Sequence, residues 1–264
     1  MLLPPNQNPR ILSRARACPA SLPDELARAD WSHARILKDT PTSSVLLARI
    51  ARTDIILKTS PLPDALSRAR SLLRCSRAWA QRRGSIRLAS HDIPAARVLA
   101  IVRGTHASTP VETLALEALP GESALHALAR RDLPPRAEHD LARSLGELTA
   151  RLHAAGLANR DHKPSNIQVI RRAPLRLALL DTVAIRRRSS REPWRMLACL
   201  AIEPRGCRCL PRRALLMRAL HAALPGASRA DIRAAWARVR TLVEAHAHPT
   251  PRDNPLAHNP TPLV

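Results

Sequence analysis

The stretch from Leu141 to Asp181 constrains the fold more tightly than any other part of the chain. Leu141, Leu145, Leu148 and Leu152 follow one another in steps of four, three and four, the spacing that lays an apolar stripe along one face of a helix. Gly156 comes directly after and predicts the C-terminal cap. Two short extended runs follow, Asn166–Ile170 and Leu175–Leu180, joined by Arg171-Arg172-Ala173-Pro174, and they predict a hairpin. A helix, a polar loop and a small antiparallel pair must therefore pack together within one segment of chain.

The residues upstream have a different character. Three apolar runs, Ala34–Lys38, Ser44–Ile50 and Asp54–Lys58, are separated by Asp39-Thr40-Pro41-Thr42 and Arg52-Thr53-Asp54, which predicts an antiparallel meander. From Pro63 to Arg83 the chain is rich in Ala, Arg and Leu with neither Gly nor Pro after Asp64, so a single helix is expected. Extended stretches at Ala95–Val102 and Val111–Ala118 complete a small sheet, and Leu119-Pro120-Gly121 predicts a hinge. Helical pattern resumes at Pro193–Ile202, Arg212–Ala223 and Ala230–His246. The expected organisation is α+β, with an irregular segment at 1–30 containing one short helix at Asp24–Ala29, a sheet-bearing part at 31–118, a mainly helical part at 119–248 and a disordered tail at 249–264.

Composition limits the partners. Lys and Arg number 43 against 21 Asp and Glu, a net charge of +22 that favours anionic surfaces. Only Lys38, Lys58 and Lys163 are lysines, and Tyr and Phe are absent, so the charge reflects a bias toward Arg along the whole chain. With only Trp31, Trp79, Trp194 and Trp236 to stack on bases, the platforms of a nucleic-acid binder are nearly missing, and nucleic acid is not the expected partner. Five cysteines, an odd number with Cys18 and Cys75 apart from Cys199, Cys207 and Cys209, predict free thiols rather than a disulfide framework or zinc site. The start has no export-type pattern and no long apolar run exists, so a cytosolic protein, at most peripheral at an inner-membrane surface, is expected.

The chemistry concentrates in Asn159-Arg160-Asp161-His162-Lys163-Pro164-Ser165-Asn166 and, beyond the hairpin, Leu179-Leu180-Asp181. A capped helix, Arg-Asp-x-Lys-x-x-Asn and a hairpin closing on Asp resemble the catalytic and metal-binding loops of the protein-kinase-like superfamily. That resemblance implies a bilobal fold, with a small antiparallel-sheet N-lobe and a mainly helical C-lobe, and ATP and Mg2+ as cofactors. It assigns Asp161 to the proton of an acceptor hydroxyl and Lys163 to the transferring phosphate. Asn166 and Asp181 become magnesium ligands at the nucleotide, and Lys58, ending the third run, grips the α- and β-phosphates.

Ile36-Leu37-Lys38-Asp39, Ile55-Ile56-Leu57-Lys58 and Asp92-Ile93-Pro94-Ala95-Ala96-Arg97-Val98-Leu99-Ala100, with the Asn159-Arg160-Asp161 loop, further resemble the lipopolysaccharide core kinase family. Its members phosphorylate heptose or Kdo sugars, which implies a sugar or glycolipid acceptor for residues 34–245. Arg186, Arg187, Arg188, Arg191 and Arg195 would then meet an anionic headgroup or membrane surface. The chain departs from the superfamily pattern in four places. Asn159 replaces the usual His, and Thr182-Val183 replaces Phe-Gly. Thr40-Pro41-Thr42-Ser43-Ser44 stands where a Gly-rich loop is expected, and no Glu lies between Pro63 and Arg83 to pair with Lys58. A small-molecule phosphotransferase of the aminoglycoside or choline type and a catalytically silent kinase-like binding module share the same loops.

Overall fold

The computed structural model describes residues 3–4, 7–15, 24–25, 34–50, 53–130, 133–187, 192–246 and 256. The chain is α+β and divides into two compact units, Met1–Ile86 with Ala96–Ala118, and Arg87–Ala95 with the residues from Leu119 onward.

The first unit is built on a six-stranded, wholly antiparallel sheet. In chain order its strands are β1 (Gln7–Arg14), β2 (Arg35–Thr40), β3 (Ser43–Ile50), β4 (Thr53–Pro61), β5 (Val98–His106) and β6 (Thr109–Glu117). Across the sheet they run β1-β5-β6-β4-β3-β2. Alternation of side chains divides its apolar residues between two faces. Leu46, Ala48, Ile55 and Leu57 pack with Leu99 and Ala115 in one cluster. Ile101, Leu114 and Leu116 pack under Ala78 and Trp79 in another. The turn between β2 and β3 is closed by Thr40, whose Oγ1 accepts the Ser43 N–H at 3.1 Å, so hydroxyl chemistry does here what glycine would otherwise permit.

Two expectations for this unit require correction. Residues 1–30 are not irregular throughout, because β1 forms the edge of the sheet and pairs with β5 through Ile11↔Val102 and Ser13↔Ile101. Its register shifts at two places and it contains Pro9, features that an edge strand tolerates and that erase the alternation by which strands are recognised. Of the short helix expected at Asp24–Ala29 only Asp24 and Glu25 are described, and the tail beyond Pro249 lies outside the described residues apart from Leu256.

The single helix expected over Pro63–Arg83 is two helices, α1 (Ala65–Leu72) and α2 (Arg77–Ala89). Asp64 caps α1, with its Oδ1 accepting the Ser67 N–H at 2.6 Å. At the other end Cys75 N–H bonds to Arg70 C=O and Arg74 N–H to Ser71 C=O, the paired closure of a Schellman turn. Arg74 takes the left-handed position at φ 59, where glycine is the usual occupant. Its guanidinium lies 5.2 Å from the Trp79 ring, and its C=O accepts from Arg83 at 2.6 Å. These contacts hold a conformation that no Gly or Pro announces in the sequence.

In the second unit, β7 (Glu122–Ser123) leads into α3 (Ala124–Ala129), which Ser123 caps through the His126 N–H. Next come α4 (Pro135–Ala154), β8 (Leu157–Asn159), a 3-10 turn at Pro164–Asn166, and the hairpin β9 (Ile167–Arg172) and β10 (Leu175–Leu179). The short strand β11 (Ile185–Arg187) precedes α5 (Glu192–Gly206), α6 (Arg213–Ala223) and α7 (Arg229–Ala245). Leu141, Leu145, Leu148 and Leu152 are all buried and join Ile167, Leu179, Met196 and Val239 in one core. Arg213 and Arg238 lie over the Trp236 and Trp194 rings at 5.7 and 5.5 Å.

Gly146 lets α4 and α6 touch. A Cβ built there would fall 2.1 Å from the Ala219 carbonyl oxygen and 2.8 Å from the Ala222 Cβ, distances that only a shift of one helix can relieve. Gly146→Ala is expected to lower the unfolding free energy by about 1–3 kcal/mol, the usual cost of overpacking, measured by denaturant titration.

Candidate active site

The second unit gathers Asp161, Lys163, Asn166 and Asp181 by pairing two short strands. Asn159, Ala158 and Leu157 of β8 stand opposite Ile185, Arg186 and Arg187 of β11. The loop leaving β8 and the turn entering β11 therefore run side by side, tied by Arg160 N–H to Ala184 C=O at 3.3 Å. A further main-chain bond, Leu180 N–H to Asn166 C=O at 2.9 Å, fixes the residue before Asp181 against Asn166.

Within the loop the side chains are mutually engaged. Asn166 Nδ2 donates to Asp161 Oδ2 at 2.7 Å and to the Asp161 carbonyl at 3.2 Å. Lys163 Nζ lies 3.5 Å from Asp161 Oδ1, with both side chains about two-fifths exposed. The Asp161 carboxylate is thus held from one side and open to solvent on the other. Because the amide nitrogen of Asn166 is committed to Asp161, its Oδ1 is the atom left for a cation. Asp181 Oδ1 accepts the Val183 N–H at 3.0 Å, which orients that carboxylate.

Lys58 stands in the first unit, in the middle of β4 rather than at its end, opposite Val45 and Leu114. The register also sets Ser60 opposite Glu112, so Lys58 and Glu112 share a face of the sheet. Glu112 is buried and accepts from Ser71 Oγ of α1. Glu117 lies on the opposite face, bound to Arg97 at 2.8 and 3.1 Å, and Glu122 pairs with Arg172 and Arg130. Of these three glutamates, Glu112 is the one on the lysine's side of this sheet.

Four supporting residues were not legible as such in the sequence. Asn159 is buried, and its Oδ1 accepts the Asp161 N–H at 3.0 Å, the Asx turn that an Asn two residues ahead of a loop residue can make. Ser165 gives both its N–H and its Oγ–H to Glu203 of α5, at 2.8 and 2.6 Å. Burial raises the Glu203 carboxyl pKa despite these bonds, and no local sequence signal links residues thirty-eight apart. Cys199, one turn earlier on α5, is pushed up to about 11 by burial, so its thiol stays protonated. No disulfide joins the described cysteines, and Cys18 lies outside the described residues.

The third and fourth are His162 and Thr149. His162 is fully buried between Asp161 and Lys163 in the chain. Thr149 Oγ1 donates to the Leu145 carbonyl and stands 3.0 Å from His162 Nε2, so Nε2 carries the proton and donates to the threonine oxygen. No partner for His162 Nδ1 exists among the described residues. Arg186 and Arg187 lie on β11 and Arg195 on α5, while Arg188 and Arg191 lie outside the described residues.

No family model and no curated protein matches the chain. No helix among the described residues is long and apolar enough to cross a membrane.

Burial lowers the His162 pKa from an ordinary 6.5 to about 4, whereas the unfolded chain protonates near the ordinary value. The stability that depends on the neutral imidazole is complete above 6.5 and is lost as pH falls toward 4. Replacing His162 with Leu, which cannot titrate, should remove up to roughly 3 kcal/mol of the acid sensitivity of unfolding over that window. Denaturant midpoints of the two proteins at neutral pH and at pH 4 measure this directly.

Proposed function

We propose that the protein is an ATP-dependent kinase of protein-kinase-like fold that phosphorylates a sugar hydroxyl of lipopolysaccharide or a related glycolipid. The observation that carries this reading is the loop in which Lys163 and Asn166 both contact the half-exposed Asp161 carboxylate, bonded through Leu180 to the strand end that bears Asp181. Phosphoryl transfer needs positioned charge more than covalent chemistry, and this is what such a loop supplies.

The donor set suits a hard cation. Asn166 Oδ1 and the Asp181 carboxylate are oxygen ligands, and no group of three or more His, Cys, Asp or Glu forms a denser cage among the described residues. Two protein ligands with the remainder from water and phosphate is the usual arrangement for magnesium. When bound, ATP supplies the phosphoryl group and magnesium the charge that offsets its oxygens. Asp161 receives and orients the acceptor hydroxyl, Lys163 sets its ammonium beside the transferring group, and Lys58 holds the phosphates of the donor. Asn159, through the Asp161 N–H, and Glu203, through Ser165, keep the loop in shape.

A sugar or glycolipid acceptor is favoured over a polypeptide because β11 and the start of α5 leave residues 188–191 alone between them, too few for a docking segment. Arg186, Arg187 and Arg195 suit an anionic acceptor. The silent-module reading draws on the buried Thr182 and the hydroxyl-closed turn at Thr40–Ser43, where glycines would give mobility.

Incubation with γ-labelled ATP and magnesium, followed by extraction of glycolipids and small sugars, tests the reading. Label should enter the glycolipid fraction and fall by about a hundredfold or more in Asp161→Ala, the loss expected for a general base. Asp181→Asn should abolish the magnesium-dependent transfer. Nucleotide binding with no transfer to any extract would transfer the reading to the silent module.

A further inference from the structure

Helix α1 is amphipathic in the reverse sense for a helix packed on a sheet. The residue it buries is Ser71, fully covered, whose hydroxyl meets the buried Glu112. The large apolar residues that it and its C-cap expose are leucines, with Leu66 at 60%, Leu72 at 65% and Leu73 at 73%. Leu66, Ala69 and Leu73 recur at steps of three and four, which places them in one stripe on the side turned away from Ser71. Leu72 widens that stripe, and Arg68 and Arg70, both exposed, border it.

Burial of leucine is ordinarily favourable, so three leucines on one short ridge call for a partner. The charge around them says which. From Ala65 to Ala89 the chain carries seven arginines and no Asp or Glu, while Asp64 is committed to capping. A second copy of this ridge would bring like charges together. A bilayer of anionic lipid supplies both an apolar interior for the leucines and phosphates for the guanidinium groups, whose stems can follow the side chains down while the heads stay in the headgroup layer.

We propose that α1 docks the chain on an anionic lipid surface, with Leu66, Leu72 and Leu73 entering the boundary between headgroups and acyl chains and Arg68 and Arg70 meeting lipid phosphates. This docking involves neither Asp161 nor nucleotide, and it stands whether or not phosphate is transferred.

The test is sedimentation of the full chain with vesicles of phosphatidylcholine alone or mixed with phosphatidylglycerol, at physiological salt and without nucleotide. Binding should require the anionic lipid. Leu66→Asn with Leu73→Asn leaves the charge untouched and should weaken partitioning at least roughly tenfold, whereas Leu66→Met with Leu73→Met should retain it. Arg68→Gln with Arg70→Gln should weaken binding and flatten its dependence on salt. Equal binding by wild type and the asparagine pair would mean that the general positive charge alone is at work and would overturn the proposal. So would failure of the wild type to bind, or leucine substitutions that change the oligomeric state by gel filtration and not vesicle binding. Should the paired asparagines lower the unfolding temperature, Leu72→Asn alone decides between the same outcomes.

Discussion

The antiparallel pairing of Leu157–Asn159 with Ile185–Arg187 is the contact on which the candidate site depends. It spans a hairpin and two loops, and it converts residues separated by about twenty positions into neighbours. The side chains do not have to find one another. Main-chain bonds at Arg160 and Leu180 set the loops at a fixed distance, and Asp161, Lys163, Asn166 and Asp181 follow from their positions along them. Such an arrangement suits phosphate chemistry, where displacement of a charge by an ångström costs much of its effect.

The loop is also anchored from beneath by polar groups in apolar surroundings. Asn159, Thr149, His162 and Glu203 lie beneath or beside the candidate site, and each makes a hydrogen bond there, although Asn159 Nδ2 and His162 Nδ1 have no partner among the described residues. Buried polar groups of this kind are costly when unpaired and specific when paired. Holding His162 neutral and raising the Glu203 pKa are consequences of one cause, removal from water. The acidic limit of the fold is thereby linked to the same residues that keep the loop in register.

Legibility in the sequence followed the range of the interactions involved. The stripe at Leu141–Leu152, the hairpin and the meander strands arise from periodicities that span a few residues, and they appear where expected. Asp161, Lys163 and Asn166 were brought together because their spacing is local. The edge strand at Gln7–Arg14 was missed because its partner, β5, lies some ninety residues on and its own pattern is broken. The end of α1 was missed because arginine occupies a glycine position, held there by Trp79 and Arg83, neither of which can be read from residues 73–76. Glu203 was invisible for the same reason: a carboxylate that caps a loop thirty-eight residues away leaves no trace in either neighbourhood.

The arginine-covered tryptophans have a spectroscopic consequence. Tyr and Phe are absent from the chain, so its ultraviolet emission is wholly indole, free of energy transfer from phenol rings. Trp79 belongs to the first unit and lies under Arg74 and Arg82, while Trp194 and Trp236 belong to the second and lie under Arg238 and Arg213. Each described indole therefore senses a cation whose departure would change its emission. The difference in emission between the wild type and a protein with Trp79 replaced by an apolar residue isolates the signal of Trp79 in the first unit, without any label being attached.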